Sequence, residues 1–232
     1  RLEIRRAADG VFERVFIAPV PFLCALALRE VARSAEGARG DPLRQALFLD
    51  LGAGTTDLCI LRGYYPGPED QVRLAAAGDE IDRLLVEGTQ ARYPDVKLSP
   101  VAATDLKEAH AFVGEPSAPV RVDVMVGGRP RPVDLTGALR NACQAVVDAT
   151  VEAAALLVAS ADPDLVARLL ENIVCTGGGS RIRNLAPYVE AAFVARGFEG
   201  VRVRVVEESK KAVARGARML AARVGEGEWQ VT

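Results

Sequence analysis

The stretch Leu47-Phe48-Leu49-Asp50-Leu51-Gly52-Ala53-Gly54-Thr55-Thr56-Asp57-Leu58-Cys59-Ile60-Leu61 leaves this chain few ways to fold. Two apolar runs, Ala46 to Leu49 and Asp57 to Leu61, read as strands joined by a tight turn that needs glycine's freedom at positive φ. A plain hairpin does not need an acid ending its first strand, two threonines in its turn and a second acid closing it. Those residues suit a phosphate and its metal. Backbone N–H groups and hydroxyls cradle an anion, and a carboxylate such as Asp50 can hold a Mg2+-bound water or the attacking water. Taken alone, the segment is a structural hairpin or a phosphate loop. A carboxylate ending a buried strand is costly unless paired or metal-linked, so Asp50 asks for a partner.

The 232 residues suffice for one large domain or two modest ones with a hydrophobic core. Half are apolar and 26% charged, an ordinary globular balance, and a net charge of −2 leaves no basic stripe for nucleic acid. The most apolar segment, Ala142 to Ala161, contains Asp148 and Glu152 and reads as a buried or amphipathic helix, not a transmembrane span. Cys24, Cys59, Cys143 and Cys175 lie far apart in apolar segments without a C-x-x-C pair, so reduced core thiols are expected. His110, the sole histidine, lacks a G-x-S-x-G nucleophile elbow to serve and reads as a packing or surface residue. No export segment is visible, which points to the cytoplasm. The chain opens at Arg1 and reaches a strand at Arg14 to Ile17 with no strand-turn unit before it, so a missing front part is expected.

Along the chain, Pro21 suits a first helical turn, and Phe22 to Val31 reads as a helix. Ser34 to Asp41 reads as a loop, and Val72 to Ala76 as a third strand after the hairpin. Asp79 is placed to cap a helix carrying Ile81, Leu84 and Leu85. Pro100 to Phe112 reads as a helix ending at Gly114, and Pro119 to Leu135 as a hairpin with Gly127-Gly128 at its tip. Thr136 is expected to cap a long helix, with one break, running to Ala159; a short helix, Asp162 to Leu170, and a strand, Asn172 to Cys175, follow. Leu185 to Arg196, Val201 to Val206 and Lys210 to about Arg223 complete a helix, strand and helix, and the tail after Gly225 reads as frayed. The result is an α/β chain with a small α+β subdomain inserted at about 80–164.

A second glycine loop follows a buried strand: Ile173-Val174-Cys175-Thr176-Gly177-Gly178-Gly179-Ser180. Glycines there let the backbone approach a flat group such as a nucleobase, and a helix N-terminus favours an anion. With both loops in view, the chain resembles the actin, sugar-kinase and heat-shock-chaperone ATPase superfamily, whose fold is ribonuclease-H-like. Asp50 to Asp57 is similar to its second phosphate motif, D-x-G-x-G-T-T-D, and Thr176 to Ser180 to its adenosine motif. Gly78-Asp79-Glu80-Ile81-Asp82 matches its G-D-x-x-D, Asp105-Leu106-Lys107-Glu108 its D-[IL]-K-E helix, and Ala212 to Ala217 its V-A-R-G segment. Within the superfamily the chain resembles the MreB and MamK branch of the bacterial actins. Ala53, Pro66 to Gln71 and Phe112 to Glu115 side with the MamK group.

The resemblance implies an actin-like ATPase fold that binds ATP and Mg2+. Residues 1–40 would end a first-half subdomain and form the linking helix, 41–79 and 165–232 the second-half core, and 80–164 the insertion. Asp50, Thr56 and Asp57 would stand near the γ-phosphate, with Asp50 on the metal. Gly52, Ala53, Gly54, Thr55, Asp79, Lys107, Glu108, Thr176, Gly177, Gly178 and Gly179 would bind nucleotide. The branch carries a water-orienting Glu in an E-P-[FM] pattern where this chain reads Val20-Pro21-Phe22, so slow or absent ATP hydrolysis is expected. By resemblance the protein self-associates into cytoskeletal filaments that organise magnetosomes or similar structures, with magnetosome-associated adaptors as partners. A small-molecule kinase or a chaperone-type ATPase on the same fold is the alternative.

Overall fold

Strand β2 (Ala46–Leu51) is hydrogen-bonded along both edges, and the chain is arranged around it. A computed structural model describes residues 6–34, 43–206, 208–225, 227 and 230–231. On one edge β2 pairs antiparallel with β3 (Thr56–Leu61), which pairs antiparallel with β4 (Gln71–Leu74). On the other edge it pairs parallel with β7 (Ile173–Thr176), and β8 (Val203–Val205) lies parallel beyond. The sheet order is therefore β4-β3-β2-β7-β8.

Both faces of the sheet are covered, which is why its central strands read as continuous apolar runs and not as alternating ones. Side chains alternate between the faces. Leu47, Leu49, Leu58, Ile60, Ile173 and Cys175 enter one core; Ala46, Phe48, Cys59, Leu61 and Val174 enter the other. The second core is closed by Cys24 and Ala25 of α1 (Val20–Ser34) and Ala212 of α7 (Ser209–Ala221). The first is closed by α2 (Gly78–Arg92), α4 (Thr136–Ala159) and α6 (Leu185–Val194), through Ile81, Leu139 and Val189 among others. Helix α4 is long and apolar enough to cross a membrane by length and composition. Its stripe Leu139, Cys143, Val147, Val151, Ala154 and Val158 recurs at helical period, and every member is fully buried in this core. All four cysteines are buried and free, and burial pushes the Cys59 and Cys175 thiols up to about 12.

Between α2 and α4 come α3 (Pro100–His110) and the hairpin of β5 (Arg121–Val126) and β6 (Arg129–Asp134). Gly127 and Gly128 have φ of +57° and +80°, the pair of positive values that a two-residue type I′ turn requires. Helix α5 (Pro163–Leu170) is capped by Asp162, whose carboxylate accepts from the Asp164 N–H at 3.1 Å.

Several expectations are corrected. Asp79 is not the cap of α2: Ala77 holds that position, and Asp79 lies inside the first turn. Thr136 does not cap α4 either. Its hydroxyl accepts from the Val120 N–H at 2.8 Å, and Leu135 takes the cap position. The long helix has no break over its 24 residues. Helix α3 stops at His110, because Phe112 leaves it to form a parallel bridge with Arg183. Within the tail, Gln230–Val231 forms β9, antiparallel to β1 (Arg14–Val15), so these two residues have a partner strand in a segment that composition alone read as frayed. The loop expected at 34–41 lies almost wholly outside the described residues.

Gly216 explains the V-A-R-G segment physically. A Cβ there would fall well inside van der Waals contact of the Leu23 carbonyl, so α7 crosses α1 at backbone distance. Gly216→Ala should force the helices apart and cost about 1–3 kcal/mol, read as a lower denaturation midpoint with an unchanged m-value. An unaltered midpoint would show that the crossing tolerates a methyl group.

Candidate functional site

The β2–β3 hairpin ends in a turn held by the Gly52 N–H donating to the Thr55 carbonyl at 2.9 Å. A side chain on Gly52 would bring a Cβ to 2.7 Å of that same carbonyl oxygen, so the residue has to be glycine. Ala53 and Gly54 at the tip are exposed, and their N–H groups meet no acceptor among the described residues. Successive free amides on a tight turn form a concavity suited to an anion.

Two carboxylates flank the turn. Asp50 and Asp57 stand directly opposite each other across the antiparallel pair, an arrangement that like charges destabilise. Each has a neighbour that offsets the repulsion. Arg73 of β4 lies opposite Asp57 in register, its Nε donating to Oδ1 at 2.6 Å, and Thr55 Oγ1 donates to Oδ2 at 3.2 Å. Thr176 of β7, opposite Asp50 on the other side, donates its hydroxyl to Asp50 Oδ1 at 2.7 Å. Burial still pushes the Asp50 carboxyl above the usual carboxylate range; the Thr176 hydrogen bond opposes this and the Asp57 charge adds to it. Thr56 is fully buried, and its hydroxyl donates to the Ala76 carbonyl at 2.7 Å, so it ties the hairpin to the following segment.

The second glycine loop arrives beside Asp50 because β7 is parallel to β2. Gly177 has φ of +83°, and a Cβ on it would press into the Leu51 carbonyl and come to 2.9 Å of Asp50 Oδ1. Gly179 would likewise bring a Cβ to 2.7 Å of Leu51 Cβ, whereas Gly178 is exposed with nothing near it. The α-helix that follows begins at Leu185, where the sequence placed it, and so not at the glycines themselves. A 3-10 turn, Gly178–Arg181, intervenes, with Ser180 buried and donating to the Gly177 carbonyl at 2.8 Å. Asn184 then adopts a left-handed conformation, φ 63°, before α6 begins.

Helix α2 is docked onto the first turn. The Gly78 N–H donates to the Gly52 carbonyl at 3.1 Å and the Asp79 N–H to the Ala53 carbonyl at 2.8 Å, which satisfies two donors that a helix start leaves open. Asp79 itself is exposed, with Oδ2 facing Gly54. Lys107 of α3 braces this junction. Its ammonium donates to Asp82 Oδ2 at 2.7 Å and to the Gly78 carbonyl at 3.1 Å, and Thr104 donates to the same Asp82 oxygen at 2.9 Å. Glu108 is exposed beside it. The end of α3 is also joined to the segment after the second loop, since Arg183 donates its N–H to Ala111 and its Nη2 to the His110 carbonyl.

Val20 opens α1 and is 39% exposed, a methyl-tipped side chain without an acceptor or a base to offer. Sequence reasoning missed Arg73, whose role depends on strand register, and read Asp82 only as part of the G-D-x-x-D match, without its partner Lys107. The Asp82–Lys107 spacing carried no local signal, because 25 residues separate the partners.

The sequence profile of the MreB/Mbl protein family matches residues 40–228. Over 190 residues the chain is 37% identical to the actin-like protein MamK of Paramagnetospirillum magneticum, covering 82% of this chain and 54% of that protein. It is 36% identical to MamK of Magnetospirillum gryphiswaldense, covering 82% and 52%. Among solved structures, a MamK double helical filament superposes with a TM-score of 0.79 at 35% identity, over 89% of this chain and 59% of that one. A non-polymerising MamK A278D mutant bound to AMPPNP gives 0.76 at 35% identity, over 88% and 58%. The fold is thus actin-like, and the chain spans about half the length of the curated relatives it matches.

The raised Asp50 pKa has a definite sign. A carboxyl that binds its proton more tightly when folded stabilises below its unfolded pKa, and that stability is lost as pH rises through the folded value. Asp50→Asn should therefore raise the melting temperature at neutral pH, with the gain shrinking as pH falls to about 4. A loss of stability at neutral pH would mean that Asp50 is better compensated than its surroundings indicate.

Proposed function

This chain belongs to the MreB/Mbl protein family, and from that membership we propose that it serves as a nucleotide-dependent, filament-forming cytoskeletal protein of the bacterial actin type. The observation that carries the reading is convergence. Two glycine loops meet at one end of the sheet, joined by a Thr176–Asp50 hydrogen bond between residues 126 positions apart. Open amides on Ala53 and Gly54 fit the phosphates of ATP, and the exposed Gly178, with nothing within 4 Å of it, leaves the second loop open beside them. A bound ATP with its Mg2+ would supply the anhydride bond to be hydrolysed.

In this reading the Ala53 and Gly54 amides would bind phosphate oxygens, and Asp50, through the oxygen that Thr176 leaves open, would hold the metal or its water. Asp57 is held by Arg73 and Thr55, so it shapes the loop and balances its charge. Thr56 supports the hairpin from within, and Lys107 clamps α2 against the turn while Asp79 and Glu108 stay solvent-facing at the cleft wall. Val20, at the water-orienting position, can neither orient nor deprotonate a water, so hydrolysis is slow. Self-association is supported by the filament form in which a similar protein was solved. Organisation of magnetosomes or similar bodies, with magnetosome-associated adaptors as partners, is carried over from the resemblance to the MamK group.

Negative-stain microscopy and pelleting of the natural full-length protein with ATP test the reading: ordered, nucleotide-dependent filaments are expected. A monomer that phosphorylates a metabolite overturns it. For hydrolysis, Val20→Glu should raise the rate of phosphate release tenfold or more, within the ~10²–10⁴-fold range of a placed base. A Glu in the first turn also suits the helix dipole, so the variant should fold. No gain over the parent would sink the Val20 explanation.

A further inference from the structure

One side chain joins the connector between β3 and β4 to the start of α1. The Tyr65 hydroxyl donates to the Ile17 carbonyl, 48 positions away, at 3.0 Å. Its ring meets Phe16 and Phe22 edge to face, with centroids 6.3 and 5.1 Å away at interplanar angles of 83° and 61°. Phe16 and Ile17 precede α1 and Phe22 lies in its first turn, so these contacts bracket Val20 on both sides. The helix start has little of its own to fix it. Its first turn holds no acidic residue for the dipole, and Pro21 has no N–H to donate.

Tyr65 can serve as a fixed point because other groups hold the connector. Asp70 is fully buried and accepts from the Arg62 guanidinium and from the Gly67 N–H, the latter at 3.0 Å. Gln71 donates its side-chain amide to the Pro66 and Gly67 carbonyls at 3.2 and 2.9 Å. The Gly63 N–H donates to the Leu43 carbonyl at 2.7 Å. The same stretch continues into Arg73, which holds Asp57, and into Ala76, whose carbonyl accepts from Thr56. One segment, 62–76, thus grips both the first glycine turn and the start of α1.

That start lies beside the site. Helix α1 covers the sheet face of Ala46 and Phe48, the face to which Asp50 also belongs by strand alternation. Cys24, one turn after Val20, is close enough to Asp50 that the carboxylate charge adds to burial in pushing the thiol up to about 12. We propose that Tyr65 is a positioning residue of the ATPase site: it fixes the first turn of α1, and so decides where the side chain at position 20 stands relative to Asp50 and the glycine turn. The proposal rests on the nucleotide reading given above, and Tyr65 acts through residue 20.

Val20→Glu supplies a reporter, since a carboxylate at position 20 raises the rate only if it is placed. In the natural full-length protein, adding Tyr65→Leu to Val20→Glu should cut kcat for phosphate release by about tenfold or more and leave the KM for ATP unchanged. Tyr65→Phe keeps both ring contacts and loses only the hydrogen bond, so its cut should be about fivefold or less. A Val20→Glu gain that survives Tyr65→Leu overturns the proposal. Hydrogen exchange on the otherwise natural protein is a second arm that needs no hydrolysis. With Tyr65→Leu, segment 16–24 should exchange about tenfold faster while the β2–β3 hairpin keeps its rate. Tyr65 is 39% exposed and the connector is held by other groups, so the variant should fold. Unchanged exchange in segment 16–24, or equal acceleration in the hairpin, overturns the proposal. No gain from Val20→Glu alone sinks the Val20 reading instead, and the exchange arm then decides the role of Tyr65 by itself.

Discussion

Everything in this structure depends on β2 being paired on both of its edges. Its antiparallel partner β3 returns through a tight turn, and its parallel partner β7 arrives more than a hundred residues later, ending at the same end of the sheet. A parallel partner requires a long crossover, and here the crossover contains α2 to α5 and the β5–β6 hairpin. Because β7 runs alongside β2, its glycine loop emerges beside Asp50. The two loops meet there as a consequence of strand direction, not of any affinity between their sequences.

That junction concentrates features a stable core would avoid. Two carboxylates face each other, one with its pKa raised by burial, and a glycine is pressed at positive φ against a carbonyl. Such features persist where surrounding structure over-determines them, and they cluster at functional sites. The over-determination is visible here: Arg73 on Asp57, Thr176 on Asp50, and the Gly78 and Asp79 amides on the turn carbonyls. Lys107 adds a brace from a third element, so the turn is held from the sheet, from α2 and from α3.

Much of this was legible residue by residue. The apolar run through Phe48, the acids at Asp50 and Asp57, and the glycines of both loops announced a hairpin and a second loop, because strand burial and glycine turns leave local marks. What failed was local in form but non-local in cause. Asp79 and Thr136 looked like helix caps, and each was displaced by a contact from elsewhere: the Ala53 carbonyl for one, the Val120 amide for the other. The tail looked frayed because its partner, β1, lies more than two hundred residues away.

The sequence by itself therefore determined where strands, turns and glycine-dependent geometry must fall, since these follow from side-chain period and backbone sterics within a few residues. It also carried the motif order that marks the actin-like family. Only the tertiary structure decided which charges compensate one another. Arg73 reaches Asp57 through register, and Lys107 reaches Asp82 through helix packing. These depend on distances between segments remote in the chain, and periodicity does not encode such distances.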